Sequence, residues 1–392
     1  MNKHIISKIV YVNFAPYENA GYILTYLLNN FAVVMSFTFN FHKLTDHQHP
    51  SRLVIYKYKR IIYQCPLFQT PTTPSVAFIL LPIRSLVIFA QLLFHLYRLH
   101  KRYGPFYFYF TVNAFTAWTG NILRSLRLIQ KTIFWVWDYY PPFDRSPVVR
   151  FMRYLYWQFD IPATLQTDHV VFLNQKLLDL RKRLGIFSES VTHSVVGIGT
   201  DPKPLRYKSG KTIKLVYIGV LKKSHGLDLI FESAKSLSQK YPGISIEIIG
   251  GGPDRAYYQH ISETLSTPVL FHGYIEKDNT ANKILARCHI GIAPYLPDKG
   301  NVTYFSDPSK IKRYLEVGLP TITTPVFSFS RDIKQYGAGV VINYDSEEFI
   351  QSVGIIMRKY DFYQKNAVAL AQKYRYQVIY SSLFPMLKHT NK

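Results

Sequence analysis

Twice along its 392 residues this chain repeats one pattern: a short run of β-branched and aromatic residues, a turn of small residues, then a stretch with helical spacing. In the first half the runs are Lys8 to Phe14, Ala32 to Asn40, Leu53 to Ile62, Phe106 to Val112, Lys131 to Trp137, His169 to Asn174 and Val195 to Thr200. The second half restarts with Ile213 to Ile218, Ile244 to Ile249, Val269 to Phe271, Ile290 to Pro294, Thr321 to Thr324 and Gly339 to Ile342. Strands that alternate with helices close through right-handed crossovers, which lay the strands parallel in one sheet with helices on both faces. No other feature constrains the fold as much: it predicts an α/β protein with two doubly wound, Rossmann-like halves.

Length agrees with that division, since a single core stops growing well below this size. The polar and basic segment 203–211 is the natural joint, giving domains over residues 1–205 and 206–375. The last segment, Glu347 to Phe384, is helical by spacing, and residues 376–392 are expected to cross back onto the first domain.

Charge narrows the partners. The chain holds 47 basic and 24 acidic residues, a net +23, and residues 1–210 hold 24 of the basic against 9 of the acidic. An excess of that size favours an anionic membrane, phosphorylated substrates or nucleic acid. Nucleic acid is the poorest fit, because the basic residues are scattered and no recognition module is present. Only Cys65 and Cys288 occur, with no metal-ligand spacing, which suits a reducing cytoplasm. The first residues, MNKHIISKIVYVNF, read as a strand behind two lysines rather than as a leader.

The most apolar stretch is Val76 to Leu99, followed by Arg98, His100, Lys101 and Arg102. Pro82 and Arg84 interrupt it at one third of its length, which disfavours a membrane span. Two readings remain open here: a helix buried in the first domain, and a helix lying in the plane of an anionic membrane. The basic cluster Lys57, Lys59 and Arg60 reads as a solvated turn or edge.

Ser306 to Pro320, reading SDPSKIKRYLEVGLP, concentrates the chemistry. Asp307-Pro308 has the form of a helix start, with the aspartate as cap and the proline giving up an amide that would be unpaired anyway. Lys310 then falls in the first turn, where free amides and the positive helix end already favour an anion. Gly318-Leu319-Pro320 closes the helix ahead of the next strand. By itself this is ordinary punctuation in any α/β domain. Asp138, directly after the strand KTIFWVW, is either a cap for its turn or a rigid polar group at a strand's carboxyl end.

Taken in order, Tyr217-Ile218-Gly219-Val220-Leu221, His225-Gly226-Leu227-Asp228, Ile248-Ile249-Gly250-Gly251-Gly252-Pro253, Phe271-His272-Gly273 and Ser306 to Pro320 resemble the retaining glycosyltransferase family 4. The likeness covers about residues 212–325. In the first half it is looser, resting on TDHVVFLN, GIGTDP and WVWDYYPP. The resemblance implies the GT-B fold, with two Rossmann-like domains facing a cleft and a nucleotide-sugar donor held by the second. It implies Lys310 and Asp138 as catalytic residues. Donor binding then falls to Gly219, Lys222, Lys223, His225, Gly250, Gly252, Tyr274, Ser306, Pro308, Arg313 and Glu316, with Glu18, Asn19 and Gly21 bordering the acceptor. No metal or other cofactor is expected, and the acceptor is expected to be a glycan or lipid-linked glycan on the cytoplasmic face of a membrane.

In its second half the chain departs from the family pattern at four points. Val220 and His225 stand where the family carries an arginine and a lysine that grip the donor diphosphate. Phe305 and Arg313 stand where it carries two glutamates eight residues apart, one of which holds the nucleotide ribose. Glu316, three residues from Arg313, is a candidate substitute.

Overall fold

A computed structural model describes residues 6–40, 50–71, 73, 76, 79–137, 139–141, 146–204, 212–276, 278–297 and 302–385. The chain forms two compact units. Unit 1 takes residues up to Gly197 together with those from Ile379 onward, and unit 2 takes Ile198–Val378.

Unit 1 contains β1 (Ile6–Phe14), α1 (Ile23–Asn30), β2 (Phe31–Phe39), β3 (Arg52–Lys57), β4 (Arg60–Pro66), α2 (Leu81–Tyr103), β5 (Phe106–Thr111), α3 (Ala114–Ser125), β6 (Ile129–Val136), α4 (Pro147–Gln166), β7 (His169–Phe172), α5 (Gln175–Arg183) and β8 (Thr192–Val195). Its eight strands run in the order β4-β3-β2-β1-β5-β6-β7-β8. All neighbours are parallel except β2-β3 and β3-β4, which form an antiparallel edge. Local chemistry sets the elements. Asn113 caps α3 by accepting from the amides of Phe115 and Thr116, and Asn174 caps α5 through Leu177 N. Asp160 of α4 and Arg181 of α5 form a fully buried ion pair, with the guanidinium over the Trp157 ring.

Two sequence expectations are corrected in this unit. The run Leu53 to Ile62 is a hairpin rather than one strand, because Tyr58 and Lys59 both take left-handed backbone (φ 47 and 68) and reverse the chain. The helix α4 carries Pro162 in its last turn but one and runs on to Gln166. The strand expected over Val195 to Thr200 lies earlier, over β8, pinned to β7 by His169, whose ring bonds the hydroxyls of Thr192 and Ser194.

The C-terminal end completes this unit. Tyr380 donates to the Gly21 carbonyl at 2.7 Å and stands edge-on to Tyr26 and Trp135. Phe384 packs against Tyr26, Phe31, Phe108 and Phe110.

Unit 2 contains β9 (Lys214–Ile218), α6 (Asp228–Lys240), β10 (Ser245–Ile249), α7 (Arg255–Glu263), β11 (Val269–Gly273), α8 (Asp278–Leu285), β12 (Ile290–Ala293), α9 (Ser309–Glu316), β13 (Thr321–Thr323), α10 (Ser330–Tyr336), β14 (Gly339–Val341), α11 (Ser346–Arg358) and α12 (Tyr360–Lys373). The short α13 (Tyr376–Ile379) follows, so the helical tail expected as one piece is broken into segments. The sheet is wholly parallel in the order β11-β10-β9-β12-β13-β14. That is the strand order of a dinucleotide-binding domain, and its direction reverses between β9 and β12, where such folds bind ligands beyond the carboxyl ends. One core packs α6 and α11 on one face, and another packs α9, α10 and α12 on the other.

Candidate functional site

The switch point of unit 2 is held open by one side chain. Strands β9 and β12 pair only at Leu215–Ile290 and Val216–Gly291. Beyond those positions the Tyr314 hydroxyl replaces the ladder, accepting from Ile218 N at 2.9 Å and donating to Ile292 O at 3.0 Å. Gly291 gives the ring its room, since a Cβ there would lie 2.4 Å from it. The backbone groups at the splayed ends are thereby satisfied without closing the crevice.

The turns after β9, β10 and β11 are knitted edge to edge. Gly219 N donates to Ile249 O, Leu221 N to Gly251 O, and Gly250 N to Gly273 O, all at 2.8–2.9 Å. Such close approach excludes side chains: a Cβ on Gly250, whose φ is 139, would meet Gly219 O at 2.0 Å.

Lys310, in the first turn of α9, reaches into this edge. It is 9% exposed. Its ammonium donates to the Tyr217 hydroxyl at 2.8 Å and lies 4.1 and 4.5 Å from the ring centres of Tyr217 and Tyr295. Gly219 faces it so closely that a Cβ would lie 3.1 Å from Nζ. Tyr217 passes the polarity on, donating to Val220 O at 2.9 Å. Among the described residues no carboxylate pairs with Lys310, and burial pulls its ammonium down to about 7. A buried cation held by two aromatic faces and one hydroxyl is balanced only when an anion arrives.

His225 shares the pocket wall, its ring 5.8 Å from that of Tyr295. Its Nδ1 lies 3.0 Å from Val220 O. A carbonyl only accepts, so Nδ1 carries the proton. Burial, reinforced by the charges of Lys310 and Lys222, holds the imidazole at about 4. The ring is therefore neutral at pH 7 and presents Nε2 as an acceptor, which suits a hydroxyl better than a phosphate. Lys222 is exposed, and Lys223 lays its ammonium 3.9 Å from the ring centre of Tyr257, with its amide on Asp254 at 2.8 Å.

The remaining sequence candidates take up other positions. Asp307 does not cap α9. Its carboxylate accepts from Ile198 N at 2.6 Å and pairs with the buried Lys312, which also donates to Ile198 O. Pro308 precedes the first helical residue instead of occupying it. Ser306 donates to Thr303 O. Arg313 turns to α8, bonding Asp278 Oδ1 at 2.5 Å, Asp278 O at 3.0 Å and Asn282 Oδ1 at 3.2 Å. Glu316 accepts from Asp201 N at 2.8 Å. Gly252 sits against Leu221, and Tyr274 is exposed beyond β11.

In unit 1, Glu18 pairs with Arg52, Asn19 accepts from the amide and hydroxyl of Thr25, and the Gly21 carbonyl is taken by Tyr380. Asp138 lies outside the described residues.

Sequence reasoning passed over Tyr217, Tyr295, Tyr314 and Lys312. The first three sit at strand ends or on the buried side of α9, where an aromatic reads as core; only the hydroxyl partners of Tyr217 and Tyr314 and the ammonium over the Tyr295 ring reveal the difference.

Comparison with known proteins agrees with this architecture. Residues 212–359 match the model of the family described as glycosyl transferases group 1. No curated protein matches the chain in sequence. Among solved structures, an α,α-trehalose-phosphate synthase (UDP-forming) from Burkholderia vietnamiensis superposes with a TM-score of 0.66 at 14% identity, covering 99% of this chain and 98% of that one. A sucrose-phosphate synthase from Thermosynechococcus elongatus gives 0.67 at 14% identity over 98% and 99%. Anabaena HepE in complex with UDP gives 0.62 at 12% identity over 97% and 100%. The chain has the two-domain GT-B fold of these glycosyltransferase structures, and residues 212–359 of its second unit match the glycosyl transferases group 1 model.

Proposed function

We propose that this enzyme transfers a hexosyl group, with retention and without a metal, from a UDP-sugar to a hydroxyl of a lipid-linked glycan in cell-envelope polysaccharide synthesis. The observation that carries the proposal is the buried ammonium of Lys310, unmatched by any carboxylate among the described residues and facing Gly219 at the sheet's switch point. In the transfer, the bond from the sugar's anomeric carbon to the diphosphate oxygen breaks while a bond to the acceptor oxygen forms on the same face. The acceptor proton passes to the leaving phosphate. Negative charge grows on that phosphate as the sugar becomes cationic, so a fixed cation there lowers the barrier most. Lys310 supplies it, Lys222 and Lys223 extend it, and the His225 Nε2 accepts from a sugar hydroxyl. The UDP preference rests on the UDP-forming synthase and on the UDP complex among the similar structures. Asp138 is assigned to the acceptor side, and the enzyme to the cytoplasmic face of the membrane.

A second reading has one specific observation in its favour. Phe305 and the fully engaged Arg313 stand where the resembling family keeps carboxylates. A protein that binds a nucleotide-sugar without turning it over would show this. Thermal unfolding in UDP, GDP and ADP, followed by turnover assays with the sugar conjugates of whichever binds, separates the two. A ligand at a hundred times its Kd stabilises by about 2.7 kcal/mol. UDP stabilisation with release of UDP from a UDP-sugar supports the enzyme; stabilisation without release or transfer supports the binder; no stabilisation by any of the three overturns both.

A further inference from the structure

Helix α2 is apolar on two opposite faces. One stripe, made of Arg84, Ile88, Leu92, Leu96 and Leu99, is buried in unit 1, where Arg84 is satisfied by Thr70 Oγ1 at 2.8 Å and by the Asn40 carbonyl. The other stripe, at the same helical spacing, is Ile83, Leu86, Ala90, Phe94, Tyr97 and Lys101, and it faces outward. Leu86, Phe94 and Tyr97 are 66%, 54% and 50% exposed. A surface helix ordinarily presents charge on that side.

The neighbouring antiparallel edge extends the same surface. Phe68, just past β4 and 68% exposed, is fixed to the helix by a pair of bonds, its amide donating to Gln91 Oε1 at 2.6 Å and its carbonyl accepting from Gln91 Nε2 at 3.1 Å. Tyr63, Ile61 and Ile62 of β4 are also exposed, and Tyr63 lies in the field of Arg98 and Arg102. The cations sit around the aromatics rather than apart from them: Arg98 lies over Phe94, Lys101 over Tyr97 and Arg102 over Tyr103. Lys57, Lys59 and Arg60 follow at the hairpin tip. Among the described residues no helix is long and apolar enough to cross a membrane.

From this we infer that the outer stripe of α2 together with β4 and Phe68 is a docking surface for an anionic lipid bilayer. The aromatic and aliphatic side chains enter the boundary between headgroups and acyl chains, and the basic residues meet lipid phosphates. Charge complementarity selects this occupant over a second copy of the chain, because two copies would bring like charge together. The inference does not depend on which sugar or acceptor the enzyme uses.

The test is flotation of the full chain with vesicles of phosphatidylcholine alone or mixed with phosphatidylglycerol, read without any turnover assay. The wild type is expected to bind the mixed vesicles, with binding that weakens as salt rises. Neutralising two cations, Lys101→Gln with Arg102→Gln, is expected to weaken binding by roughly five-fold per charge. Phe94→Ser with Tyr97→Ser is expected to weaken it ten-fold or more. These side chains are exposed, so an unchanged melting temperature shows that each variant folds. No binding to mixed vesicles at low salt, equal binding by wild type and variants, or a wild-type dimer that both pairs of substitutions dissolve would each overturn the inference.

Discussion

The turn after β1 and the turn after β9 are built from the same unit, a strand running into a small-residue loop and a helix, yet they are finished differently. After β1 the polar groups are spent inside the protein: Glu18 on Arg52, Asn19 on Thr25, the Gly21 carbonyl on Tyr380. After β9 the loop is stripped to backbone at Gly219, and the cation that faces it has two rings and a hydroxyl for company. On the proposed function, a βα turn becomes a ligand address when the fold leaves one charge unbalanced there, not when it merely gathers polar residues.

The sharpest way to break this comparison is Lys310→Met. Transfer is expected to fall by about 100- to 1,000-fold, while the unfolding midpoint in denaturant holds or rises, because a buried cation without a counter-ion is removed. A variant that keeps full turnover shows that the unbalanced charge is not the catalytic feature.

Gly250→Ala attacks the frame instead. Its Cβ would press on the Gly219 carbonyl in backbone that alanine rarely adopts, and a loss on the order of 2–4 kcal/mol is expected in equilibrium unfolding. An unperturbed variant would mean that the glycine turns are not close-packed.

The charge itself can be titrated. Burial holds Lys310 at about 7, whereas an unfolded lysine keeps its proton to roughly pH 10. Between those limits the unfolded chain binds more protons, so stability rises with pH across that window, and below it the burial penalty is complete. On the proposed function UDP binds the ammonium form, so calorimetry from pH 7 to 9 is expected to show affinity falling, by up to about ten-fold per unit. Lys310→Met is expected to flatten that slope, and an equal slope in both proteins would assign it elsewhere.

The smallest effect is expected at the other turn. The Glu18–Arg52 pair is partly exposed, so Glu18→Gln is expected to cost about 0.5 kcal/mol in unfolding and to change acceptor KM less than three-fold. A ten-fold rise in KM with unchanged stability would make the turn after β1 a ligand address too.

Much of this was legible in the sequence. The two alternations announced two doubly wound sheets, and Lys310 could be placed in the first turn of a helix at a strand's mouth from Asp307, Pro308 and the closing Gly318 alone. The errors fall where a side chain has both a near and a far partner. Asp307 had the position of a cap, but the fold gave it Lys312 and Ile198 N. The stretch from Val76 to Leu99 posed burial against membrane contact, and α2 buries one face while it exposes apolar side chains on the other.

What the sequence determined by itself is the order of strands and helices, since periodicity and turn chemistry act over a few residues. Only the tertiary structure decided which charges are balanced. The Tyr217 hydroxyl that holds Lys310, and Tyr314 bridging Ile218 to Ile292, join positions distant along the chain. An ammonium is a phosphate seat or a solvated surface group according to what surrounds it, and those surroundings are assembled by packing, not by spacing.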